Sequence, residues 1–117
     1  MSDQEASGPQ MKDSEQFRAL RLGDIEHFNQ RRAEGEDPDL VRANLRACDL
    51  RGAHLEGLSL ADAYLKLADL RGLDLRECNL EGASLHNARV GGTYFPLGLD
   101  PQEIQMSLQF GTRIRIR

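Results

Sequence analysis

Ala43-Asn44-Leu45-Arg46-Ala47-Cys48-Asp49-Leu50-Arg51-Gly52-Ala53-His54-Leu55 contains three leucines on a beat of five residues. The beat starts at Leu40 and runs without a skip through Leu60, Leu65, Leu70, Leu75, Leu80 and Leu85, with Val90 and Phe95 as its last two members. A period of five suits neither regular element. In a helix each step of five turns the side chain by about 140°, so the leucines would spiral round the axis. In a strand five is odd, so they would alternate faces. The chain keeps every leucine inside only by bending once per repeat.

The other positions of the repeat agree. Two residues before each centre stand mostly small apolar side chains: Ala43, Cys48, Ala53, Ala63, Ala68, Cys78, Ala83 and Ala88. Residues two apart on an extended segment share a face, so this row points inward beside the leucines. The flanking residues point outward and are mostly polar, as with Asn44 and Arg46 or Asp69 and Arg71. Glycine recurs two after the centre, at Gly52, Gly57, Gly72, Gly82 and Gly92. The bend is expected there, because glycine tolerates positive φ.

Read as A-(D/N)-L-x-x, this pattern resembles the pentapeptide-repeat family. Ala43-Asn44-Leu45-Arg46-Ala47 and Ala68-Asp69-Leu70-Arg71-Gly72 lie close to its consensus, and the resemblance covers 12 repeats. A motif repeated that often is a strong signal. The resemblance implies an all-β solenoid, a right-handed quadrilateral β-helix of about three coils with four repeats per coil. Residues 20 apart would then stack about 4.8 Å apart, with Leu40, Leu60 and Leu80 on one inner face and Leu45, Leu65 and Leu85 on the next.

Solenoids need covered ends. Residues 1–13 are polar and are expected to be a disordered N-terminus. Residues 14–37 read as a helical N-terminal cap, with Phe17, Leu20, Ile25 and Phe28 at helical spacing, a split at Gly23-Asp24, and Gly35 and Pro38 as stops. Residues 38–97 are the repeats, and 98–117 a C-terminal capping helix and tail. Asp100-Pro101-Gln102-Glu103 has the order of an N-cap, a first-turn proline and an acidic first turn, and Gly111 ends that helix. The tail, 112–117, alternates arginine and isoleucine like a strand. It is expected to lie back on this chain, the other arrangement being addition to a partner's sheet edge.

The sequence has no apolar run long enough to span a membrane and no leader-like start, so a cytoplasmic location is expected. Cys48 and Cys78 stand at inward positions of different coils, and no disulfide is expected between them. The histidines His27, His54 and His86 lack ligand spacing, so no metal or other cofactor is expected. Ser59 and Ser84 are outward positions of the repeat, and the glycines serve bends rather than a phosphate loop. No catalytic residue is expected; the chain reads as a non-enzyme.

The surface is the remaining candidate. The expected function is a protein-protein interaction or structural module, a rigid rod presenting a flat charged face to an unidentified protein partner or to a second copy. A homodimer would form through an end cap or the tail. The candidate face consists of Arg46, Lys66 and His86 in one vertical row, Arg51 and Arg71 in the next, and outward-pointing Tyr64 and Leu67. Asp49 and Asp69, two residues before Arg51 and Arg71, are placed to neutralise their row. Family members that inhibit DNA gyrase suggest the alternative, a DNA-mimicking regulator of a type II topoisomerase. Residues 38–97 carry seven basic and eight acidic side chains, however, so the rod is near neutral. Tyr94 and Leu97 are expected to pack under the C-terminal helix. The net charge of −4 and the scarcity of exposed aromatics argue against nucleic acid.

Overall fold

A computed structural model describes residues 8–116. The β-helix expected from the resemblance is not what these residues form. Among them there is no strand and no sheet; the regular elements are three helices, α1 (Glu15–Leu22), α2 (Ile25–Ala33) and α3 (Pro101–Phe110). The repeat region is built from tight turns joined by isolated parallel bridges: Asn44 to Tyr64, Tyr64 to Ser84, Asp49 to Asp69, Asp69 to Arg89, Ser59 to Asn79 and Asp74 to Tyr94. The reason is the length of the beat. Each repeat spends two residues on a turn and has three left, so pairing makes one bridge before the chain turns away.

Each of these six bridges links residues 20 apart, which orders the repeats into three stacked tiers. The Leu45 amide donates to the Tyr64 carbonyl at 2.9 Å, and the Tyr64 amide to the Ala43 carbonyl at 2.9 Å. The turns close locally as well, Cys48 N–H to Leu45 C=O at 3.2 Å and Ala53 N–H to Leu50 C=O at 3.0 Å. From Leu40 to Leu85 each central leucine is at most 1% exposed. Val90 and Phe95, on the last tier, are only half-buried.

In most repeats the second turn residue takes positive φ, as turns of this kind require, Glu77 being an exception. Glycine fills the position at Gly57 (φ 81°), but Ala47 (61°) and Leu67 (64°) adopt it too. A Cβ in the left-handed region costs about 1–2 kcal/mol. Ala47 is exposed, so replacing it with glycine sacrifices no packing. Ala47→Gly should therefore raise the unfolding free energy by about 0.5–1 kcal/mol, once the greater freedom of glycine in the unfolded chain is subtracted. Gly57→Ala should lower it by about 1 kcal/mol. Urea unfolding of the two variants beside wild type reads both; shifts of the same sign would refute the turn assignment.

Side chains close the lower end. Ser14 caps α1 by accepting from the Phe17 amide, and Gly23 (φ 78°) ends that helix. Asp24 starts α2 by accepting from the His27 amide. Phe17, Leu20 and Phe28 are buried in the same apolar cluster as the leucines. Polar groups from both helices meet the backbone of the first tier, where another tier would otherwise stand. The Asn29 amide group donates to the Gly52 carbonyl at 2.9 Å and accepts from the His54 amide at 2.8 Å. Arg32 donates to the carbonyls of His54 and Glu56. The segment expected to be disordered also takes part. Gln10 bridges to Ala43, and Lys12 reaches Asp39 at 3.3 Å. Residues 1–7 lie outside the described residues.

The upper end is covered on one side. Ser107 of α3, fully buried, accepts from the Leu85 amide at 2.8 Å, and the Leu108 carbonyl accepts from Asn87 at 2.9 Å. After Gly111 the tail folds back on its own chain without forming a strand. Ile114 is buried, its amide donating to Ala83 C=O at 2.8 Å and its carbonyl accepting from Gly82 N–H at 2.7 Å. Arg115 pairs with buried Glu103. Arg117, the last residue of the expected tail, lies outside the described residues. Tyr94 and Leu97, expected under α3, are instead 58% and 95% exposed. The helix crosses the side of the stack that carries Leu85 and Asn87 and leaves them bare.

Candidate interaction face

Each repeat delivers the residue before the centre and the residue after it to the outside. On the column through Leu50 and Leu70 these are aspartate and arginine. Arg51 donates to Asp49 through Nε at 2.9 Å and through Nη2 at 2.7 Å. Arg71 holds Asp69 at the same two distances, and Arg76 holds Asp74 at 2.9 and 2.8 Å. The aspartate also accepts from the backbone amide of its arginine, at 3.2 Å for Arg51 and Arg71 and 3.1 Å for Arg76. That local bond fixes the carboxylate, and a bidentate fork completes the pair. Arg51 further reaches Asp69 of the next tier at 3.4 Å, and Arg76 lies over the Tyr94 ring at 5.1 Å.

These bonds depress the carboxylates. The hydrogen bonds of Arg71 hold Asp69 at about 2, and those of Arg76 hold Asp74 at about 2, both below the ordinary 3.8. A depressed acid stabilises the fold above its unfolded value. That contribution is complete above roughly pH 5 and is lost progressively as pH falls through about 2. Carboxyl-carbon NMR titration should give midpoints near 2 for both residues, and Arg71→Ser should move the Asp69 midpoint upward. An unchanged Asp69 midpoint in that variant would show that Arg71 is not the cause.

The column through Leu45, Leu65 and Leu85 is different. In place of the aspartates stand Asn44, Tyr64 and Ser84, and after the centres stand Arg46, Lys66 and His86. The Asn44 side chain accepts from the Arg46 amide at 3.2 Å, which reproduces the turn without the charge. Among the described residues no carboxylate lies within 4.0 Å of the Arg46 guanidinium or the Lys66 ammonium. Arg46 is exposed and Lys66 half-buried. His86 is also half-buried; a Cβ built on Gly111 would lie 3.3 Å from it, so the end of α3 flanks it. Tyr64 is half-buried, whereas Leu67 is 44% exposed.

The structure therefore divides the seven candidate residues. Arg46, Lys66 and His86 follow one another up one corner, with Tyr64 and Leu67 beside them. Arg51 and Arg71 face the next corner with their charge already matched. The sequence reading missed Arg21. This α1 side chain donates to the carbonyls of Asn44 at 3.2 Å and Arg46 at 3.0 Å and to Cys48 Sγ at 3.4 Å. It adds a cation at the foot of the Arg46 column. Its only sequence signal is its place in the last turn of α1.

Chemistry elsewhere is sparse. Cys48 and Cys78 are free and buried. Burial raises both thiols, Cys78 to about 11, and the Cys78 thiol donates to the Leu55 carbonyl at 3.2 Å. Among the described residues no group of His, Cys, Asp and Glu is arranged to hold a metal ion. No described helix is long and apolar enough to cross a membrane.

A family model of pentapeptide repeats matches residues 39–72 and 63–95, in eight copies. No curated protein and no solved structure matches the chain.

Proposed function

We propose that this chain, which belongs to the pentapeptide-repeat proteins, binds a protein partner through the corner of Arg46, Tyr64, Lys66 and Leu67. Such repeats are general interaction or structural modules. The observation that carries the reading is the missing acid. Arg51, Arg71 and Arg76 are each matched by an aspartate two residues earlier, while the Arg46 column has Asn44, Tyr64 and Ser84 there. Stacked cations without counter-charges repel one another mildly, and a complementary partner relieves that repulsion. Exposed Leu67 and the edge of Tyr64 add the apolar and aromatic contact that interface centres favour. The DNA-mimicking alternative needs a continuous acidic face; here Asp49, Asp69 and Asp74 are each bound by arginine.

The test is an affinity capture from nuclease-treated lysate with three baits. They are wild type, Arg46→Glu/Lys66→Glu, and Arg51→Glu/Arg71→Glu, each first shown by circular dichroism and melting to be folded. A protein held by wild type and the second variant but lost from the first supports the reading. A partner retained by all three, or none captured by wild type, removes it.

A further inference from the structure

We infer that the corner carrying Arg21, Arg46 and Lys66 docks an acidic, extended protein segment lying along the stack axis. The inference rests on the interaction reading above and names the chemistry of its partner. Arg21 is fixed at the foot by neutral acceptors, the carbonyls of Asn44 and Arg46 and the Cys48 sulfur. Arg46 follows on the first tier and Lys66 on the second. The Ala47 amide donates to the Lys66 carbonyl at 2.8 Å, which locks the two turns in register. Three cations thus climb one edge over roughly 10 Å. Among the described residues none has a carboxylate within 4.0 Å.

An extended chain rising about 3.3 Å per residue covers that length in three or four residues. Acidic side chains at alternate positions would face the corner. The intervening residue would meet Leu67 or the half-buried Tyr64 ring. A nucleic acid strand fits less well. Its phosphates continue past the corner, and the net charge of −4 opposes a long polyanion. A short acidic stretch takes the three cations and stops.

The direct test uses the full chain and a fluorescent peptide of about ten residues alternating glutamate and serine. Anisotropy would follow wild type, Arg46→Ser/Lys66→Ser and Arg51→Ser/Arg71→Ser. Each double variant removes two positive charges, so a difference between them reports position rather than net charge. The inference expects binding that weakens with salt, a loss of about tenfold or more in the first variant, and a change under about twofold in the second. Equal losses, no binding by wild type, or tighter binding of a single-stranded oligonucleotide of equal charge would each overturn it. If the lysate partner still depends on Arg46 and Lys66 while the peptide fails to bind, the acidic-segment inference falls and the interaction reading stands.

Discussion

Phe28→Ala should lower the unfolding free energy by about 3–5 kcal/mol, the range for truncating a fully buried aromatic. Phe28 is 0% exposed and belongs, with Phe17 and Leu20, to the cluster that includes Leu40, Leu45, Leu50 and Leu55. Its helix does more than fill space. Asn29 and Arg32, the next residue and the fourth along, bond the first-tier backbone at Gly52, His54 and Glu56. If α2 loosens, those carbonyls and the His54 amide lose their partners, and an open edge of backbone is a template for pairing with another chain. The variant should therefore show two changes, a lower urea midpoint and concentration-dependent association by light scattering. Leu22→Ala is the control: Leu22 is 82% exposed and its truncation should fall within about 0.5 kcal/mol. A Phe28 variant as stable and as monodisperse as that control would show that α2 does not close the stack.

How much of this was legible follows from the range of each signal. The register was written locally. The beat of five put leucines inside, and Gly52, Gly57, Gly72, Gly82 and Gly92 marked the residue that takes positive φ. Helix ends were equally readable, because Asp24, Asp100 and Gly111 act within one turn. Strand content was overestimated, since pairing 20 residues apart does not say how many consecutive residues pair. Gln10 was missed because its partner, Ala43, is distant and it carries no apolar pattern. Arg21 was missed for a related reason. A cation in the last helical turn looks like a dipole partner, and its bonds to Asn44, Arg46 and Cys48 exist only once α1 packs under the tiers. On the face, the sequence already set Asp49 and Asp69 to neutralise the row of Arg51 and Arg71, yet kept Arg46 and Arg51 together as candidates. What separates them is Asp49 against Asn44, visible in the sequence but meaningful only when the bidentate fork is seen.

The closed ends also bear on the proposed face of Arg46 and Lys66. A short stack frays from its ends, where Val90 and Phe95 are only half-buried, and a face on the first two tiers is best protected at the lower end. Arg46 and Lys66 sit on those tiers, and α1 braces the Arg46 turn from below through Arg21. Preorganisation of that kind lowers the ordering cost of binding. The position of the cations and the position of the more complete cap thus point to the same end of the molecule.

Leu65→Ala should cost about 3–4 kcal/mol, near the middle of the range for buried leucines. Leu65 is 0% exposed in the middle tier, with Leu45 and Leu85 at the same register below and above it, both also 0% exposed. Neither neighbour can close the gap easily. The backbone of each tier is held by bridges, Asn44 to Tyr64 and Tyr64 to Ser84, so collapse would break hydrogen bonds on both sides. Val90→Ala on the half-buried last tier should cost only about 1 kcal/mol, because it deletes less buried surface from a region free to relax. The denaturant slope discriminates further. If three tiers unfold as one unit, Leu65→Ala lowers the urea midpoint with the slope unchanged. If the stack behaves as weakly coupled repeats, the slope falls and the transition broadens, because the outer tiers then melt separately. Equal costs at Leu65 and Val90 would contradict a stack whose centre is its best-packed part.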